Sequence, residues 1–246
     1  MDLKYAAKSA GLCRRLEAVL AQNAYDKDFV RRSDLLFASL SDGIEGLGLS
    51  LDQLQTTELQ APAMQTASEL QTASELQARR TLKMLKGPVQ LDPDSLVACH
   101  SELTGLPPRL ARFARYTRTQ NNDIHVYTHP DQIRPRLRQL QAQVHVLTKT
   151  LERKKAHKRM LHTFALAAYV QHQLADIHPF EDGNGRLCRL MSKRVLDSVL
   201  PAALPMFSNR QEYLCVLESD RRKGYPGGLL RLMLKEALAH FSALKF

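Results

Sequence analysis

A 246-residue chain with 35 basic against 25 acidic side chains, a formal charge of +10, is long enough for one large domain or two small ones and favours anionic partners: nucleotides, nucleic acid or acidic protein surfaces. Apolar residues make up 44% and Trp is absent, so aliphatic side chains must fill the core, and no run of about 18 apolar residues offers a membrane span. Cys13, Cys99, Cys188 and Cys215 lie far apart with no C-x-x-C pair, which argues against a zinc knuckle and for reduced packing residues, the even count leaving a disulfide open.

The opening Met1-Asp2-Leu3-Lys4-Tyr5 lacks the basic start and apolar run of a signal peptide, so a cytoplasmic protein is expected, with secretion as an effector left open. Nearly everything after it reads as helix. Leu12, Leu16, Val19 and Leu20 form one stripe in steps of three or four, and Val30, Phe37, Leu40 and Ile44 form another that ends at Glu45-Gly46. Residues 66–71 and 72–77 are both TASELQ, a tandem duplication too short for a solenoid and expected in a surface helix or linker. Residues 118–130 break the helical pattern. Asn121-Asn122-Asp123 is followed by Ile124, Val126 and Thr128 alternating with His125 and Tyr127, which suits a short hairpin and an irregular loop about equally. The basic cluster at 153–159 is read as a solvated helix start in preference to a nucleic-acid patch. Residues 160–175 are apolar nearly all round, hence a central buried helix. Leu187, Leu190, Met191, Val195 and Val199 line one face after a glycine turn, and Leu230, Met233, Ala237, Phe241 and Leu244 line another.

The chemistry is concentrated in His178-Pro179-Phe180-Glu181-Asp182-Gly183-Asn184-Gly185-Arg186-Leu187-Cys188-Arg189. Pro179 ends the central helix, and Gly183 and Gly185 let the backbone turn and approach a ligand. The next helix then starts with unpartnered N–H groups and the positive end of its dipole outward, an anion site suited to a nucleotide diphosphate. Arg186 and Arg189, three apart, share a face and can fork onto phosphates. Asp182 is a lone carboxylate beside them, a usual protein contribution to Mg²⁺. His178, with an ordinary pKa near roughly 6.5, can take a proton from a Ser, Thr or Tyr hydroxyl attacking phosphorus. Phe180 reads as an inward anchor. Each piece alone has an ordinary structural reading. Together they do not, because two arginines at a helix N-terminus oppose its dipole unless an anion compensates.

These residues resemble the Fic family, whose signature H-x-F-x-[D/E]-G-N-G-R-x-x-R is met at His178, Phe180, Asp182, Gly183, Asn184, Gly185, Arg186 and Arg189. The resemblance implies an all-α Fic fold, a helical bundle with a short β-hairpin flap. It implies transfer of AMP from ATP to a protein hydroxyl, with His178 as base, Asp182 as ligand for Mg²⁺ or Mn²⁺, and the backbone at 183–185 with Asn184 as the anion hole. Arg186 and Arg189 would hold the outer phosphates. Cys99, His100 and Leu103 look like the helix ahead of the flap, and residues 116–120 with Ile124, His125, Val126 and Tyr127 look like the flap that clamps the target by strand pairing. Gln211-Glu212-Tyr213 and Val216-Leu217-Glu218 look like the region beside adenine, with Tyr213 as the nucleotide contact.

Residues 41–46, Ser41-Asp42-Gly43-Ile44-Glu45-Gly46, resemble the family's inhibitory pattern [S/T]-x-x-x-E-[G/N]. In that class the glutamate, here Glu45, pairs with the last motif arginine, here Arg189, and blocks the γ-phosphate; in some relatives it also takes part in hydrolysing AMP off the target. The resemblance divides the chain into a helical segment at 1–85, packed on the core, and a catalytic core at 86–246. Expected partners are ATP as co-substrate and a protein substrate, with self-modification and a homodimer as candidates; neither membrane nor nucleic acid is expected. The alternatives are a Fic-type transferase using UTP, GTP or CDP-choline, a non-catalytic interaction module, and, last, a nucleic-acid binder.

Overall fold

The computed structural model describes residues 4–22, 27–44, 73–107, 116–118, 124–200 and 207–242. A short 3-10 helix, Lys4–Ser9, leads into α1 (Ala10–Gln22), followed by α2 (Lys27–Ile44), α3 (Ala73–Met84) and α4 (Pro93–Thr104). Two strands follow, β1 (Tyr116–Arg118) and β2 (Ile124–Val126), then α5 (Pro130–Glu152), α6 (Ala156–Ile177), α7 (Asn184–Asp197), α8 (Arg210–Lys223) and α9 (Gly227–Ser242). The all-α class is as the sequence indicates. The alternating segment is extended: β1 pairs antiparallel with β2, Tyr116 opposite Val126, Thr117 opposite His125 and Arg118 opposite Ile124.

Local chemistry sets the helix ends. Asp92 caps α4 by accepting from the Ser95 N–H at 2.9 Å, and Pro93 occupies the first helical position, where a missing N–H costs nothing. Asn209 caps α8 through the Glu212 N–H at 3.0 Å. Asp220, fully buried, accepts from the Gly228 and Leu229 N–H groups at 3.0 and 2.7 Å and so caps α9 from the neighbouring helix.

α6 is the central helix, with Phe164, Val170 and Leu174 inaccessible to solvent, and it packs against α5, α7, α8 and α9. Ser192 lets α7 come close, its hydroxyl donating to the Ala167 carbonyl at 3.2 Å. One core runs from Ala6 and Leu16 through Phe29 to Met233 and Phe241, so the N-terminal helices and α9 share it.

Three expectations change. The helix after the glycine turn is not half-solvated: every residue from Arg186 to Leu196 in α7 is buried, so its polar face needs protein partners. Lys193, 1% exposed, lies 3.2 Å from Asp34 and 2.5 Å from Asp197, while Arg194 donates to the Met84 and Pro88 carbonyls. The stripe read as reaching Val199 stops with α7 at Asp197. The second TASELQ copy enters α3, but not as a surface helix throughout. Gln77 is 4% exposed and donates to the Leu103 carbonyl at 3.0 Å, fastening α3 to α4. The first copy and Leu244 lie outside the described residues. All four cysteines are free thiols, three of them buried, and burial pushes the Cys13 thiol up to about 12. Among the described residues no helix is long and apolar enough to cross a membrane.

Candidate active site

The site begins where α6 ends. His178 caps that helix with φ 51° and ψ 60°, the left-handed region that non-glycine residues rarely adopt, and its N–H donates to the Leu174 carbonyl at 3.0 Å. Pro179 follows and cannot continue the helix. The His178 imidazole is half-buried and stacks on Tyr127, which directly follows β2; the ring centroids are 3.8 Å apart and the planes 13° from parallel.

The loop after it is held from two sides. Phe180, 1% exposed, stacks on His100 of α4 at 3.7 Å with planes 5° apart. The same imidazole places Nε2 2.7 Å from the Asp182 carbonyl, so its Nε2–H tautomer donates there. Burial holds the His100 pKa below the ordinary 6.5, which keeps the ring neutral, as that tautomer requires. Asn184 supplies the second hold. Its Oδ1 accepts from the Phe180 N–H at 3.0 Å and its Nδ2 donates to the Phe180 carbonyl at 2.8 Å. Both polar ends of that side chain are thus committed within the loop, and what Asn184 offers a ligand is its backbone N–H. Gly183 sits between at φ 74°; a Cβ there would collide with Thr104 Cγ2 and come 3.0 Å from His100 Nε2. The glycine is needed for its conformation and for the space.

α7 then starts with Gly183 as its cap and no side-chain acceptor on its first N–H groups, the arrangement that receives an anion. Arg186 is 6% exposed, with Nη2 3.7 Å from the Asp182 carboxylate and Nε buried without a hydrogen-bond partner. A buried guanidinium nitrogen left open beside an uncapped helix start fits phosphate oxygens. Asp182 is 72% exposed on its side chain, and its Oδ1 accepts from the Gly183 N–H at 2.6 Å. Its remaining lone pairs suit a hard cation. Among the described residues no three His, Cys, Asp or Glu side chains gather as a metal site, so such a cation would draw its other ligands from phosphate and water.

Arg189 is 1% exposed and turns to the end of α2. Its Nε donates to the Ser41 hydroxyl at 3.0 Å and its Nη2 to the Ser41 carbonyl at 2.8 Å. Arg210, from the first turn of α8, donates Nε to the Ile44 carbonyl at 2.8 Å. Tyr213 is 2% exposed, accepts from Gln171 Nε2 at 3.1 Å and stacks on Phe207 at 4.1 Å; burial raises its pKa. His178, Asn184, Gly185, Arg189, Tyr213 and Tyr127 line one cavity of about 200 Å³. That is below the roughly 300–1,000 Å³ of most small-molecule sites, and Ile44 at the end of α2 is among its lining residues. A cavity of about 710 Å³ lies elsewhere, beside Val144, Leu166 and Arg194, and no residue of the 178–189 loop lines it.

The structure therefore gathers His178, Gly185, Asn184, Arg189 and Tyr213, with Asp182 on the adjoining loop and Arg186 in the first turn of α7. Val126 is 68% exposed. For Ile124 and His125 only the strand backbone is described, and Glu45 lies outside the described residues. The roles of His100 as loop support and Arg210 as a contact of α2 are not legible in the sequence: each depends on a partner far along the chain.

The helical bundle thus brings a histidine, a helix start without a side-chain cap and the buried Arg189 to one cavity. Residues 90–196 match the model of the Fic/DOC family. A Fido domain-containing protein of Dictyostelium discoideum is 40% identical over 52 residues, 21% of this chain and 36% of that protein's length. The fold is shared with a Fic family protein from Desulfovibrio desulfuricans (TM-score 0.71, 16% identity, 95% of this chain and 72% of that one). It is shared equally with Fic-1 of C. elegans (TM-score 0.71, 17% identity, 96% and 72%). BepC of Bartonella tribocorum, solved with AMPPNP bound, superposes at TM-score 0.50 and 16% identity over 66% of this chain and 83% of that one.

Proposed function

We propose that the protein is an adenylyltransferase that moves AMP from ATP to a Ser, Thr or Tyr hydroxyl of a target protein. The observation that carries this is the meeting of His178 with the uncapped start of α7 in one cavity, beside an Arg186 whose buried Nε lacks a partner. In this reading the N–H groups of the first turn of α7 and the Arg186 guanidinium bind the phosphates. Preorganised donors of this kind stabilise charge that builds on phosphate during transfer. The target hydroxyl oxygen bonds to the α-phosphorus as the bond from that phosphorus to the β-bridging oxygen breaks. Pyrophosphate leaves, and the hydroxyl proton passes to His178. Asp182 would hold Mg²⁺, or Mn²⁺, which would neutralise charge on the departing phosphates. The AMPPNP in BepC, an ATP analogue in a protein of the same fold, supports ATP as the donor. Tyr213 and Leu217, on the apolar side of the cavity, would receive the base.

The chain also carries its own brake in this reading. Arg189 is engaged by Ser41, the first residue of the 41–46 pattern, and Glu45 follows α2 directly. The proposal is tested by incubating the protein with each α-labelled nucleoside triphosphate and a divalent cation, and following label on protein. Label from ATP that is lost in His178→Ala is expected, the loss being about 10²–10⁴-fold for a general base. Label from another nucleotide alone would replace the donor, and no label from any, in the parent or in Glu45→Gly with the brake released, would reject the transferase reading.

A further inference from the structure

Three elements meet at Tyr127. The residue leaves β2 immediately after Val126, its ring lies nearly parallel to the His178 imidazole at 3.8 Å, and the Arg221 guanidinium of α8 stands 5.4 Å from its ring centroid. Arg221 is itself anchored: Nη2 donates to the Ala175 carbonyl at 2.8 Å, one turn before His178, while Nε is buried without a hydrogen-bond partner.

A face-to-face stack has a particular effect on an imidazole. It fixes the plane of the ring and leaves the edge, where both nitrogens lie, open to other groups. The rotation of the ring about its last side-chain bond is otherwise soft, because such torsions have broad wells. His178 also sits at a helix end in a left-handed conformation, followed by Pro179, which ends the helix. A base that must meet a hydroxyl in line with phosphorus needs its nitrogen aimed, since misplacement by about 1 Å can cost on the order of 10²-fold.

We propose that Tyr127 is a positioning residue for His178, steadied by Arg221, so that the chain leaving β2 sets the orientation of the base. The inference rests on the transferase reading and deepens it by assigning the alignment of the base to a residue outside the 178–189 loop. Tyr127 touches the base and not the reacting atoms, so its effect falls on the rate of transfer and leaves nucleotide binding alone.

Two measurements test this. In the transfer assay Tyr127→Ala is expected to lower kcat by roughly 10-fold to 10²-fold, with KM for ATP within about twofold, and Tyr127→Phe, which keeps the ring, to recover most of the loss. Arg221→Ala is expected to fall between them. Equal kcat for Tyr127→Ala and the parent, or a failure of Phe to rescue, overturns the proposal. The second measurement needs no activity. The chain has no Trp, so Tyr127→Trp introduces a sole indole whose emission reports on whatever ring it stacks against. Its fluorescence should titrate with imidazole protonation, and the titration should vanish in Tyr127→Trp/His178→Ala. Identical titrations in the two overturn the stack. A chain that transfers nothing even as Glu45→Gly sinks the transferase reading, and the fluorescence arm then decides alone whether Tyr127 sets the imidazole.

Discussion

Arg189 reaches back 148 positions to Ser41, binding both its hydroxyl and its carbonyl at 3.0 and 2.8 Å. A guanidinium that could fork onto a phosphate is thereby joined to the last turn of α2, where the helix dipole is negative. Arg210 binds the same turn through the Ile44 carbonyl. α2 is further held by the buried Asp42, which accepts from Thr81 at 3.2 Å, and by Asp34 against Lys193.

Glu45→Gly is expected to raise transfer, by on the order of 10-fold to 10²-fold if a misaligned α-phosphate is what holds the parent back. The gain should appear more in rate than in ATP affinity. Arg189→Ala should not mimic it, because in the proposed reading that change would also remove a phosphate ligand, and the double variant should be as poor as Arg189→Ala alone. Labelling from α-labelled ATP across the four proteins decides it. Unchanged labelling by folded Glu45→Gly would reject residues 41–46 as the inhibitory element.

Asp182→Ala is expected to abolish metal-dependent transfer while leaving the fold intact, since the side chain is 72% exposed and its carboxylate accepts from the neighbouring Gly183 N–H and stands 3.7 Å from Arg186. Titrating Mg²⁺ and Mn²⁺ into both proteins checks this, and identical metal dependence would remove the residue from the metal site.

Gly183→Ala tests the loop. An alanine at φ 74° costs about 1–2 kcal/mol for the left-handed conformation alone. Its Cβ would also press on Thr104 and the His100 ring that supports Asp182. Urea unfolding should show a loss of at least that size, and transfer should fall with it. Parent-like stability would mean that α4 and the loop move apart at little cost.

The pH dependence of stability has a definite sign. Burial holds His172 and His240 below the ordinary 6.5. As pH falls through that value the unfolded chain takes up protons first, so stability is full above it and declines below it. Asp197 acts oppositely. Burial raises it to about 6 despite Lys193, so below about pH 6 the folded chain takes up the proton first and gains relative stability. The thermal midpoint should therefore hold above about pH 7, fall as pH passes below 6.5, and fall less steeply below about 6, where Asp197 offsets part of the loss. His240→Gln, which keeps a polar group toward Ser33 at the His240 position, should reduce the fall. An equal fall in the variant would assign it to other groups.

The sequence reports what depends on neighbours along the chain. The apolar run at 160–175 identifies the buried central helix, and the glycines at 183 and 185 mark a turn before a new helix start. It does not report pairings across the fold. The His100 and Phe180 stack, the Asn184 clamp and the Lys193 pair with Asp34 leave no periodic trace. A lysine at 193 reads as a solvated face until the surrounding helices cover it. Tyr127 falls in phase with the strand alternation, yet β2 stops at Val126 and the ring turns to His178, a change of direction that period-two patterning cannot anticipate.

α1 finds its principal partner in α9, and Leu16 and Phe241 belong to one core although they stand at opposite ends of the described residues. Such a contact closes a loop that contains nearly all the rest of the fold, which is slow by its topology. During synthesis the apolar stripe of α1 must wait, uncovered, until α9 has emerged, and in that interval it is a target for chaperones or for association with other chains.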